Sequence, residues 1–107
     1  MEFPTLTELE LMHNTVCKAV TDPRRILILY TLDEQPRHVT AIAEKLDLPQ
    51  PTVSRHLAIL RQASLVDTER DGASVIYRLI EPRVIEVLDN MRMVLRESLA
   101  RQSTVVE

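Results

Sequence analysis

The sequence predicts a mainly α-helical domain with a small β-hairpin: a winged helix-turn-helix of order α-α-α-α-β-β-α that dimerises through its terminal helices. Three observations predict it. The run LDLPQPTVSRHLAILRQASLV, Leu46 to Val66, joins a helix break, a short polar helix and a strand entry. The only glycine, Gly72, lies between two β-rich runs. The last helical stretch carries more apolar surface than one small domain needs.

The chain has 107 residues, enough for one compact domain with a modest core, expected over residues 1–107. Hydrophobic residues make up 45% but aromatics only 3%, so the core must be built from Leu, Ile, Val, Ala and Met, which favours helices. A first helix is expected over about 5–20, with Leu6, Leu9, His13, Val16 and Val20 near one face. Asp22-Pro23 then supplies an N-cap followed by a proline at the first helical position. The helix from Arg24 to about Leu32 is expected to bury Ile26, Leu27, Leu29 and Tyr30.

The helix-turn-helix falls over about 39–63. Val39, Ile42, Ala43 and Leu46 stand at i, i+3, i+4 and i+7 of a helix about two turns long. Asp47-Leu48-Pro49-Gln50 matches the length of the connection. Pro49 and Pro51 start the second helix near Gln50 or Pro51, because proline is best tolerated in a first turn. Val53, Leu57 and Leu60 form its apolar stripe. Pro51, Arg55, Ala58, Ile59 and Gln62 lie roughly opposite, with Thr52 and Ser54 on the flanks. Side chains of these kinds reach base edges and phosphates from a helix in the major groove.

The wing spans about 65–79: Leu65 to Arg70, a turn at Asp71-Gly72, and Ser74 to Leu79 with Val75, Tyr77 and Leu79 alternating. Arg70 and Arg78 flank the turn, either as phosphate or minor-groove contacts or as solvated strand residues. Pro82 opens a helix to about residue 102. Its Val84, Leu88, Met91, Leu95 and Ser98 or Leu99 recur at near-heptad spacing, and Ile85, Val87 and Val94 widen the stripe, which suggests a homodimer interface.

The formal net charge of −3 is awkward for a DNA binder, whose affinity rests on phosphate contacts. From Pro23 to Arg61, however, Arg24, Arg25, Arg37, Lys45, Arg55 and Arg61 stand against Asp33, Glu34, Glu44 and Asp47, so the acid excess lies elsewhere. No apolar run is long enough to span a bilayer, and no basic-then-apolar signal opens the chain; a soluble cytoplasmic protein is expected. Without a glycine-rich phosphate loop or a serine, histidine and acid arrangement, an enzyme is not expected. The expected partner is double-stranded operator DNA. The rival reading is a winged helix whose polar face binds a protein.

The runs AVTDPRRILILYTL, VTAIAEKLDLPQPTVSRHLAILRQASLV and ERDGASVIYRL resemble the ArsR/SmtB family of bacterial winged-helix transcriptional regulators, without a gap from Lys18 to Leu79. The resemblance implies a homodimeric repressor that releases its operator when an effector binds. It makes Gln50, Thr52, Ser54, Arg55 and His56 the candidate DNA contacts, with Arg70 and Arg78 on the wing. His56 lies about 60° from the centre of the apolar stripe, so a packing role stands beside the contact role. Departures concern the effector. Metal-sensing members place a cysteine pair where this chain has Arg37-His38-Val39-Thr40-Ala41. Members that bind zinc through the last helix use histidine there, and this one offers only Glu86, Asp89 and Glu97. Tyr30 stands at the position resembling one cysteine of the sulfide- and redox-sensing members. Ser64 replaces the usual glycine, and Pro49 an often-found capping serine.

No cofactor is evident from these patterns. Cys17 is unable to form an internal disulfide and is read first as a packing thiol. Its i, i+4 spacing from His13 leaves a metal pair or a thiol switch as the alternative, with Met12, Met91 and Met93 as soft ligands across a dimer.

Overall fold

The computed structural model describes residues 1–106, with side chains described through residue 103; residue 107, the last of the expected domain, lies outside the described residues. Helix α1 covers Leu6–Met12 and runs straight into a π-helical turn, His13–Cys17. Helices α2 (Pro23–Glu34), α3 (Val39–Leu46) and α4 (Gln50–Gln62) follow, with a short strand β1 (Arg37–His38) ahead of α3. Strands β2 (Val66–Asp71) and β3 (Ser74–Leu79) form the wing, and α5 spans Arg83–Val106.

Local chemistry accounts for most of these boundaries. Thr5 caps α1, its hydroxyl accepting from the Glu8 amide at 3.1 Å. Asp22 caps α2 by accepting from the Arg24 amide at 2.8 Å, with Pro23 at the first helical position. Hydrogen bonds from the Arg24 side chain and amide hold the Asp22 carboxyl down to about 2, so the cap stays charged far below neutral pH. Pro49, with no side-chain cap, begins α4.

Both helices of the helix-turn-helix end on a left-handed residue that is not glycine: Asp47 at φ 53° and Ser64 at φ 61°. In each case the next amide reaches back five residues, Leu48 to the Ala43 carbonyl at 3.0 Å and Leu65 to the Leu60 carbonyl at 3.1 Å. Leu48 and Leu65 pack inward behind the turn, completing Schellman-type ends.

Ile28, Leu29, Ile42, Val53, Leu57 and Leu60 are fully buried and make the centre of the core, with Val66 of β2 and Val84, Ile85 and Leu88 of α5 closing it. Helices α3 and α4 match their expected limits. The α2 face does not. Leu27 is 50% exposed and Ile26 and Tyr30 are half-buried, while Ile28 and Leu32 are inside. The buried positions are Arg25, Ile28, Leu29, Thr31 and Leu32, and of these Arg25, Ile28, Leu29 and Leu32 stand at i, i+3, i+4 and i+7 with an arginine at the head. The wing turn is also displaced by one residue, since Asp71 pairs with Ser74 and the two turn residues are Gly72 and Ala73. Gly72 has φ +63°, the conformation a tight hairpin turn requires. Strand β1 adds a third strand that periodicity did not reveal; it pairs antiparallel with β3, giving the order β1-β3-β2.

The terminal helices leave the body of the protein. The radius of gyration is 16.5 Å, against about 13 Å for a compact chain of this length. Leu6, Leu9, Met12 and Val16 at one end, and Val87, Met91, Val94, Leu95 and Leu99 at the other, are exposed within one protomer. No helix among the described residues is long and apolar enough to cross a membrane.

A non-glycine residue held at positive φ costs about 1 kcal/mol. Ser64→Gly is therefore expected to raise unfolding stability by roughly 0.5–1 kcal/mol, and Ser64→Val to lower it. Denaturant titration at one fixed protomer concentration measures both; an unchanged midpoint for Ser64→Gly would show that the turn is unstrained.

Candidate nucleic-acid interface

The stripe Val53, Leu57 and Leu60 fixes how α4 sits, and the geometry of a helix then decides what it shows to solvent. Gln50, Ser54 and Arg55 are exposed and Thr52 is half-buried. The Arg55 Nη2 donates to the Thr52 hydroxyl at 3.4 Å, a long bond that leaves most of the guanidinium's donors for another partner. These four expected contacts share the N-terminal half of α4. Ala58, Ile59 and Gln62 are exposed further along the helix.

His56 is different. It is only 8% exposed, and its Nδ1 lies 3.1 Å from Arg25 Nη1. A guanidinium only donates, so Nδ1 accepts and the ring proton sits on Nε2. Of the two roles left open for His56, the geometry is that of the packing histidine. Burial, more than the neighbouring arginines, pushes its pKa below the ordinary imidazole value, with the Asp22 carboxylate opposing.

Arg25 completes that buried contact. Its Nε donates to the Ala19 carbonyl at 2.7 Å and its Nη2 to the Lys18 carbonyl at 3.1 Å. One side chain thus ties the end of the N-terminal helix to the underside of α4. Sequence reasoning treated Arg25 only as part of a basic stretch; its place at the head of the α2 stripe was the available signal.

The two wing arginines do not act as a pair. Cross-strand partners share a face, and Arg78 is opposite Asp67 while Arg70 is opposite Val75, so the two point to opposite faces of the hairpin. Arg78 lies near the base of the wing and is bound to Glu69. Arg70 is exposed near the tip. Elsewhere Arg24 pairs with Asp22, Arg37 and Lys45 with Glu34, and Arg61 with Asp67. Among the described residues, Arg55 and Arg70 are the arginines of α4 and the wing that have no carboxylate partner.

A scan against family models matches residues 22–68 to "Bacterial regulatory protein, arsR family". An HTH-type transcriptional regulator of Methanocaldococcus jannaschii is 38% identical over 74 residues, covering 68% of this chain and 83% of that protein. The chain belongs to the arsR family of bacterial regulatory proteins. The HTH-type transcriptional regulator KmtR of Mycobacterium tuberculosis is 38% identical over 73 residues, 68% of this chain but 56% of that protein, so the chain spans little more than half its length. Among solved structures, a homodimeric winged helix-turn-helix DNA-binding domain from Mycobacterium bovis superposes with a TM-score of 0.75 at 28% identity, covering 94% of this chain and 95% of that one. The arsR family comprises DNA-binding regulators, not enzymes, and the winged-helix expectation holds.

At Tyr30, the position resembling a cysteine of the sulfide- and redox-sensing members, the structure holds a contact between helices. Tyr30 donates its hydroxyl to Asp89 Oδ1 at 2.6 Å and lies 5.1 Å beneath the Arg92 guanidinium, joining α2 to α5. Asp89 is thereby engaged. Cys17 is half-buried and His13 exposed at the two ends of the π turn. Among the described residues, no group of three or more His, Cys, Asp or Glu side chains converges on a metal position.

A depressed histidine pKa stabilises the fold above the unfolded value, near 6.5, and that contribution is lost as pH falls through the folded value. The unfolded state then binds the proton that His56 refuses. Stability of the wild type is expected to fall between neutral pH and about pH 5, more steeply than that of His56→Gln. Denaturant midpoints of both proteins across that range test this, and parallel profiles would remove His56 as the cause.

Proposed function

We propose that this chain is a homodimeric transcriptional repressor that binds operator DNA and releases it when an effector binds. The observation that carries the reading is the N-terminal half of α4, where Gln50, Thr52, Ser54 and Arg55 stand on a face that the core leaves free. A helix of this kind enters the major groove with its first turns against the base edges. Gln50, Ser54 and Arg55 are the base and phosphate contacts, Thr52 orients Arg55, and Arg70 at the wing tip reaches the neighbouring backbone or minor groove. Arg78 contributes after exchanging Glu69 for a phosphate, and His56 supports the helix from behind.

The dimer is supported by the apolar faces of the terminal helices, which no part of the same protomer covers, and by the homodimeric relative from M. bovis. Two-fold pairing presents two α4 helices to a palindromic site. A cytoplasmic location follows from the need to reach DNA.

Fluorescence anisotropy with the DNA upstream of the protein's own coding region is expected to show sequence-selective binding that weakens steeply with salt. Arg55→Ala is expected to cost about 1–3 kcal/mol in operator affinity with melting unchanged. Salt-insensitive binding, or full affinity in Arg55→Ala, would shift the assignment to a winged helix that binds protein.

A further inference from the structure

We propose that the groove between the π turn and the C-terminal end of α4 is the effector site, and that it takes a small carboxylate with a short apolar body. The groove measures about 360 Å³, a volume suited to a small molecule. Asn14, Thr15 and Lys18 line one side, Ile59 and Gln62 the other, and Arg25 contributes to the lining from within the fold.

The chemistry of the lining selects the ligand. It holds two cations and no carboxylate. The Lys18 ammonium has no ion pair among the described residues, so it is free to meet an anion. A guanidinium carries five N–H donors; the bonds to the Ala19 and Lys18 carbonyls and to His56 use three, leaving two. The Asn14 and Gln62 amides add neutral N–H donors, while the Thr15 hydroxyl spends its proton on the Leu11 carbonyl at 2.7 Å and only lines the rim. Ala19, Ile59 and Ala63 supply an apolar wall that a bare inorganic anion would leave unused.

The same position gives the ligand leverage. The groove spans the N-terminal helix and the reading helix, the two elements that Arg25 ties together. A carboxylate held by Lys18 and the spare guanidinium N–H groups pulls the arginine against its bonds to His56 and the two carbonyls, and so shifts α4 relative to the dimerising arm. Helical segments of the π type recur at functional sites, and this one places Asn14 and Thr15 at the rim.

The regulatory half of this proposal rests on the DNA-binding reading; the binding half does not, and the test separates them. Full-length ¹⁵N-labelled protein is titrated with benzoate, without DNA, and with inorganic phosphate as comparison. Saturable shifts centred on residues 14–19, 25 and 59–63 and reaching His56, stronger with benzoate than with phosphate and lost in Lys18→Gln, are expected. No saturable shifts, equal shifts with phosphate, or shifts that survive Lys18→Gln in a folded protein would overturn the site. Operator anisotropy with saturating benzoate is then expected to show about a tenfold rise in Kd in the wild type and none in Lys18→Gln. An unchanged wild-type Kd would overturn its role as the effector site. Failure to bind any operator would instead overturn the DNA reading, while the titration still decides the groove.

Discussion

The buried guanidinium of Arg25 is the constraint on which the arrangement of helices depends. A charge removed from water must find partners, and this one finds them in two elements that otherwise meet little: the carbonyls at the end of the N-terminal helix and the ring nitrogen of His56 on α4. Those carbonyls belong to a helix end, where the helical ladder runs out of donors, and the Lys18 carbonyl accepts from the Thr21 hydroxyl at 2.8 Å as well. Arginine suits the task better than lysine, because its planar fork addresses three acceptors in fixed directions. The Asp22 cap starts α2 three residues earlier and so sets the turn on which Arg25 projects inward. A short chain of causes therefore runs from one aspartate through one arginine to the pitch of the reading helix.

Acidity and DNA binding are reconciled by how the charges are spent. Two of the four arginines of α4 and the wing, Arg61 and Arg78, are each matched with an exposed carboxylate, and such surface pairs are worth little in water. They exchange readily for a phosphate. Arg55 and Arg70 need no exchange. A modest resting field of this kind favours selectivity over nonspecific affinity, since fewer counterions are released on random DNA.

Much of this was legible in the sequence, and the failures have physical reasons. The prolines, the Val53, Leu57 and Leu60 stripe and the single glycine located α3, α4 and the wing because each is a local signal. The inward face of α2 was misread because Arg25 occupies a core position that an apolar periodicity search skips. Strand β1 is two residues long and exists only through pairing with β3, so it has no period to detect. His56 was undecidable from its angle on the helix wheel; the deciding fact is the arginine on another helix. The opposition of Arg70 and Arg78 follows from a register that a turn displaced by one residue alters.

The reading helix is bracketed by two residues in the left-handed region, Asp47 before it and Ser64 after it. Each closes a helix end by the same backward hydrogen bond, and each sets an angle, Asp47 between α3 and α4 and Ser64 between α4 and the wing. The chain uses its only glycine at the wing turn, where the two-residue loop leaves no alternative. At the other two turns the leucines that follow, the partly buried Leu48 and the buried Leu65, hold the backbone in place against the cost of a side chain at positive φ. The orientation of Gln50, Ser54 and Arg55 is thus held at both ends by hydrophobic anchoring outside the interface. This allows the exposed face of α4 to vary in sequence without disturbing how the helix is presented.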